Sequence, residues 1–169
     1  MMKSVLGAGL LALAAAVGAQ PTGAFPAKPV VPGTGAGVHS PDSPIPPLPE
    51  RSDALPWSLL TAVKHRTENK RVLPLFSPEQ LALDGKPQRL QGFMMPLQPG
   101  EKVRHFLLSS VPLTCSFCVP GGPESMVEVR TRTPVAYTPE PVLVEGRFHV
   151  LRDDPMGLFY RMTDAAPVR

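Results

Sequence analysis

Val142, Val144, Phe148 and Val150 alternate with Leu143, Glu145, Arg147 and His149, and Gly146 stands in the middle of the run. Strict alternation is the period of a strand with one buried face. A glycine inside such a strand marks a sharp bend or bulge. The same β-branched and apolar texture recurs at Gln88–Met95, Val103–Val111, Ser125–Thr131 and Leu158–Met162, each run set off by Pro, Gly or Asp. Five short strands with one bent by glycine predict a mainly β fold, a small five-stranded barrel of the oligonucleotide/oligosaccharide-binding (OB) type. A β-sandwich is the competing architecture.

One or two short helices are expected ahead of the barrel. Asp53 reads as a cap, with Leu55, Leu59, Ala62 and Val63 at helical spacing on one face and Trp57 and Leu60 widening the stripe. Lys64, His65 and Arg66 then fall in the last turn, where positive charge suits the helix dipole. Ser77-Pro78-Glu79-Gln80 is a capping box with proline in the first turn, followed closely by a stop at Asp84-Gly85. Residues 51–169 are therefore expected to form one OB-like domain with short N-terminal helices.

The chain ahead of that domain has a different texture. Met1-Met2-Lys3 and the apolar run Val5–Val17 read as a secretory signal peptide over residues 1–19, with cleavage before Gln20. The run is too short to span a bilayer, so stable membrane insertion is not expected and the mature protein is placed in the periplasm. Nine prolines fall between Pro21 and Pro49 among Gly, Ala and Ser, which predicts a disordered linker over residues 20–50. His39 lies within it, a poor preorganised ligand on that reading.

The chemistry concentrates in Thr114-Cys115-Ser116-Phe117-Cys118-Val119-Pro120-Gly121-Gly122-Pro123-Glu124-Ser125, which holds the only two cysteines of the chain. Two thiols three residues apart can close a small disulfide, hold a soft metal ion, or exchange electrons with another thiol pair. Pro120 and Pro123 bias Val119 and Gly122 toward extended backbone, so the turn is expected at Gly121, with a positive φ.

Trp57-x-x-Leu60, Leu83-Asp84-Gly85-Lys86, Gly92-Phe93-Met94-Met95-Pro96-Leu97, Phe106-Leu107-Leu108, the cysteine loop and Val144-Glu145-Gly146 together resemble the secreted bacterial domain of unknown function 3299 family. The resemblance spans roughly residues 55 to 165. Many members carry Cys-x-His and a proline run in this loop, whereas here Phe117 stands at the histidine's place and Cys118 follows. Cys115, Phe117, Cys118 and Gly122-Pro123-Glu124-Ser125 are similar to a Cys-x-Phe-Cys branch. The resemblance implies a periplasmic OB-like domain and no settled activity.

Three readings of the loop stay open. Oxidation outside the cytoplasm favours a Cys115–Cys118 disulfide, although the chain-entropy gain of closing so short a loop is only about 2 kcal/mol. Thioredoxin-like chemistry needs its first cysteine at a helix start, which the following prolines oppose. A metal site needs more ligands than two thiolates. His105 and His149, on predicted strands, are the candidates to join Cys115 and Cys118 around zinc or Cu(I), and Met94, Met95 and Met126 offer thioethers.

Glu124, Glu128 and Arg130 read as solvated strand residues. No Ser-His-Asp arrangement, phosphate-cradling glycine loop or paired-carboxylate motif appears, so a non-enzymatic role is expected. A net charge of +3 and 6% aromatic content, together with export, argue against a nucleic-acid partner. The leading expectation is a periplasmic accessory protein that binds or delivers zinc or copper to a membrane transporter or metalloenzyme client. Its alternatives are an interaction module closed by a structural disulfide, and a thiol-redox partner.

Overall fold

The structure is a computed structural model and describes residues 35–168. The expected signal peptide, and residues 20–34 of the expected linker, lie outside the described residues. Helix α1, Trp57–Thr61, is a single turn. It buries Leu60 completely, and Trp57 and the preceding Leu55 pack against the core. The longer helix expected from Asp53 does not form. Pro56 takes the cap position, while Asp53 is drawn to Arg51 at 2.8 Å and to Arg89 at 3.4 Å. Lys64, His65 and Arg66 open a strand instead of closing the helix. Strands β1, Lys64–Glu68, and β2, Arg71–Leu75, form a two-stranded hairpin that turns through Asn69 and Lys70, both at positive φ.

Helix α2, Pro78–Leu81, follows from the capping box as expected. Ser77 Oγ accepts from Gln80 N at 3.2 Å, and Gln80 Oε1 accepts from Ser77 N at 2.9 Å. Gln80 is buried, so its remaining donor needs a partner. It finds one in Leu59 O at 2.8 Å, which ties the two helices together.

The five expected strands are present as β3 (Pro87–Pro96), β4 (Lys102–Ser109), β5 (Met126–Ala136), β6 (Val142–Val150) and β7 (Tyr160–Pro167). They close a barrel in the order β3-β4-β5-β7-β6, with β6 returning to pair β3. The last strand thus inserts between the third and fourth and runs parallel to β5. This is a mainly β chain with a five-stranded OB-like barrel and two short helices, and the sandwich alternative is set aside because the sheet closes. Inward positions alternate as the sequence demands: Val144, Phe148, Phe106, Leu108, Val127, Val129, Tyr160 and Met162 are all fully buried. Burial at these large side chains carries the fold; truncating Phe106 or Phe148 to alanine should cost about 3–5 kcal/mol.

Gly146 sits at the expected irregularity. Between Glu145 and Arg147 the β6–β7 register shifts, with Asp164 at φ 53° on the facing strand. A Cβ at Gly146 would come within 2.8 Å of Met162 Cγ and of Thr163 O. The bulge lies on β7, and the glycine across from it lets the two backbones close.

The Pro-rich segment expected as a free tether is docked from Gly35 onward. Val38 and Val119 form an antiparallel bridge between this segment and the cysteine loop. The reason is chemical: proline and glycine leave the backbone carbonyls and most N–H groups available, and here the fold supplies their partners. Among the described residues no helix is long and apolar enough to cross a membrane.

Candidate functional site

The cysteine loop connects β4 to β5, from Ser110 to Gly122, and ends in a 3-10 turn, Pro123–Ser125. Ser110 N donates to Ser125 O at 3.2 Å, which closes the loop at its base. Cys115 N donates to Pro112 O and Cys118 N to Cys115 O, so the cysteines sit on successive tight turns. They are joined as a disulfide with their Cα atoms 5.4 Å apart. Both sulfurs belong to nearly buried residues, whereas Phe117 between them is 61% exposed. The short bridge therefore holds a large apolar side chain out to solvent.

The docked segment, which we call the strap, runs beneath this loop from Gly35 to Ser43. Val38 N donates to Val119 O at 2.8 Å and Val119 N to Val38 O at 2.9 Å. Gly122 N donates to Gly35 O at 3.1 Å, Ser110 Oγ donates to Ala36 O at 2.6 Å, and Gly35 N donates to Glu124 Oε1. Ser43 Oγ lies 3.3 Å from Cys115 Sγ. Phe93, Leu107 and Val111 are buried but lie outside the barrel core.

Gly121 corrects one expectation and keeps its consequence. Its φ is not positive; the positive-φ glycines here are Gly35 and Gly37 of the strap. The demand at Gly121 is steric, because a Cβ there would collide with Gly35 O, Ser125 Oγ and Gly37 N. Gly37 is equally confined, with Val119 O 2.7 Å from where its Cβ would stand. Gly122 is extended, φ −79° and ψ −172°, as the following proline requires.

The other candidate ligands are placed elsewhere. His105, on the outer face of β4, gives its Nε2 to Glu128 Oε1 at 2.7 Å. His149, on the outer face of β6, has Nε2 2.9 Å from Thr163 Oγ1 and Nδ1 4.0 Å from Asp84. Met94 packs in the barrel core. Among the described residues no group of three or more His, Cys, Asp or Glu side chains is placed to hold a metal ion. His105 and His149 are thus not brought to Cys115 and Cys118.

Glu124 and Glu128 are not solvated: each is 3% exposed. Burial alone would push the Glu128 carboxyl up, but Arg161, Arg130 and His105 all donate to it and together hold it at about 2. Arg130 reaches it at 2.9 Å, and Arg161 bridges on to Asp154 at 3.1 Å. This cluster ties β4, β5 and β7 across the outside of the barrel. Glu124 by contrast faces the strap and the base of the loop. Burial pushes the Tyr160 phenol up, and the Glu124 charge pushes it further, while Tyr160 Oη donates to Leu60 O at 2.8 Å.

Spacing did not reveal the strap. The signal present is Gly35-Ala36-Gly37-Val38, two glycines flanking one residue and followed by a β-branched one, inside a segment whose composition reads as linker.

No protein of curated function matches the chain. The crystal structure of a DUF3299 family protein from Pseudomonas aeruginosa PAO1 is similar at 27% identity, over 57% of this chain and 68% of that one, with a TM-score of 0.41. A family profile described as protein of unknown function, DUF3299, matches residues 57–164, from α1 into β7, and includes the whole cysteine loop but not the strap. On that match the chain belongs to the DUF3299 family.

Proposed function

We propose that the protein is an exported, non-catalytic interaction module whose recognition surface is the disulfide-closed loop. The observation that carries this reading is Phe117: a 61% exposed aromatic ring held between two bridged cysteines. An aromatic side chain fixed in advance loses little entropy on docking, which is how a few residues come to dominate an interface. The strap and the disulfide hold the loop backbone that carries the ring. A client protein in the periplasm or at the inner membrane is the expected partner.

Incorporating a photoreactive phenylalanine analogue at position 117 in the exporting cell tests this. A discrete adduct at 117, lost in Cys115→Ser/Cys118→Ser and absent from the same probe at the more exposed Met156, is the expected outcome. Adducts no stronger than at Met156 would sink the reading. Metal delivery is tested in parallel. Reduction of the bridge yields paired thiols, and uptake of one equivalent of zinc or Cu(I) by reduced protein, measured by elemental analysis, would return the function to metal binding through Cys115 and Cys118.

A further inference from the structure

The slot that holds the strap reads main chain and almost nothing else. Val119 offers both its N–H and its carbonyl to Val38, Gly122 N answers Gly35 O, Ser110 Oγ answers Ala36 O, and the Glu124 carboxylate answers Gly35 N. All five bonds end on backbone atoms of the strap. The His39 side chain is not read, since its Nε2 is buried with no hydrogen-bond partner among the described residues. Selectivity comes instead from space: at Gly37 a side chain would meet Val119 O, Gly121 N and Val111 Cγ2 within 2.9 Å. Main-chain hydrogen bonds for affinity and excluded side chains for selection are the working parts of a peptide-recognition site, here shaped for a turn in which Gly35 and Gly37 both stand at positive φ.

We propose that this slot is a recognition site for a glycine-turn segment of a partner protein, Gly-x-Gly-x with both glycines at positive φ, and that Gly35–Val38 is its resident occupant in the isolated chain. The proposal rests on the reading of the loop as a recognition surface and names what the surface takes. Two further observations point past a purely internal brace. The slot lies within the stretch matched by the family and the strap lies outside it. No residue of the connector from Pro44 to Ser52 is buried, so the strap is joined to the barrel by chain that can lift away without disturbing the core.

The test separates slot from strap. In the full chain, Gly37→Val unseats the resident segment while every slot residue stays in place. An acetylated, fluorescent peptide of residues 34–43 is then titrated and its anisotropy followed. Saturable one-to-one binding to Gly37→Val is expected, and wild type should bind about ten-fold more weakly or worse, because its own strap competes at an effective concentration on the order of millimolar. Binding should disappear in Gly37→Val/Gly121→Val, and with a peptide carrying valine at its second glycine. No saturable binding by a Gly37→Val chain with native near-ultraviolet circular dichroism overturns the proposal, as does equal binding by wild type and the double variant. So does a Gly37→Val chain that ignores the peptide yet dimerises with wild type, since the occupant would then be a second copy. If Gly37→Val does not fold, Val38→Pro removes the donor to Val119 O and replaces it in the titration. Phe117→Ala should leave peptide binding unchanged, so loss of the 117 adduct with retained binding overturns only the client reading, and the converse overturns only the slot.

Discussion

Two glutamates four residues apart, equally buried, are satisfied in opposite ways. Glu128, near the start of β5, is met by three side chains: Arg161, Arg130 and His105 converge on it. Glu124, at the foot of the cysteine loop, takes the backbone N–H of Gly35, and no cation stands within ion-pair distance of it among the described residues. Spread over three strands, the first arrangement is a clasp that fixes the barrel's outer face. The second is an acceptor for the main chain of the strap. The contrast separates what holds the barrel together from what holds the strap against the loop.

The largest expected effect breaks the clasp. Glu128→Ala takes its carboxylate from Arg161, the more buried of the two arginines, and removing one partner of a mostly buried pair costs about 3 kcal/mol. Urea denaturation should show that loss with an unchanged slope, and the Tyr160 and Phe148 core should remain native. A loss below about 1 kcal/mol would mean that the cations simply turn to solvent.

Acid titration sharpens the same point. The Glu128 carboxyl lies at about 2 in the folded chain against an ordinary 4.5. Its stabilisation is therefore complete above about pH 4.5 and is lost as pH falls toward 2, with an upper size of about 3 kcal/mol from 1.36 kcal/mol per pKa unit. Glu128→Gln should flatten this acid limb, and thermal midpoints measured from pH 6 down to pH 2 will show whether it does. An acid limb unchanged in the variant would assign the sensitivity to other carboxylates.

Next in size is Gly121→Val, for which we expect about 2 kcal/mol from overpacking. The barrel should survive while the strap is displaced, and limited proteolysis should cut between Val38 and Leu48 in the variant but not in wild type. Asparagine, tolerated where φ is positive, should bring no relief here, since the conflict is with Gly35 O and Ser125 Oγ and not with the backbone angle. A mild Gly121→Asn beside a harmful Gly121→Val would mean that the loop can shift.

How legible each region was follows from the same contrast. The barrel strands could be read because a buried face imposes alternation, and Val142–Val150 shows it residue by residue. β5 runs past the expected end at Thr131 to Ala136, because Pro134 is tolerated beyond the register shift after Val129. Hairpin β1–β2 was missed because Lys64–Glu68 is exposed throughout and offers no alternation to detect. The cysteines marked the loop, and the disulfide was one of the alternatives left open. The strap was invisible because its bonds are made by backbone, which every sequence possesses; only its glycines carry information, and a linker has glycines too. Glu124 and Glu128 were misread as surface, since burial of a charged strand residue depends on partners as distant as Arg161 and Gly35.

The smallest expected effect is the sharpest test of the difference between the two glutamates. If Glu124 serves as an acceptor of main-chain N–H, a glutamine carbonyl can take its place, and Glu124→Gln should cost about 1 kcal/mol or less, the difference between a charge-assisted and a neutral hydrogen bond. Gly35 and Val38 amides should keep their protection from hydrogen exchange, and peptide binding to the Gly37→Val chain should persist in the added Glu124→Gln background. At position 128 the same substitution removes the charge that three donors share, so its effect at neutral pH should be clearly larger. Equal losses for Glu124→Gln and Glu128→Gln, or strap amides that exchange freely in the former, would show that Glu124 also works through its charge. The slot would then call for a positive group on the segment it takes, and a free N-terminal amine in the place of Gly35 N would become the ligand to try.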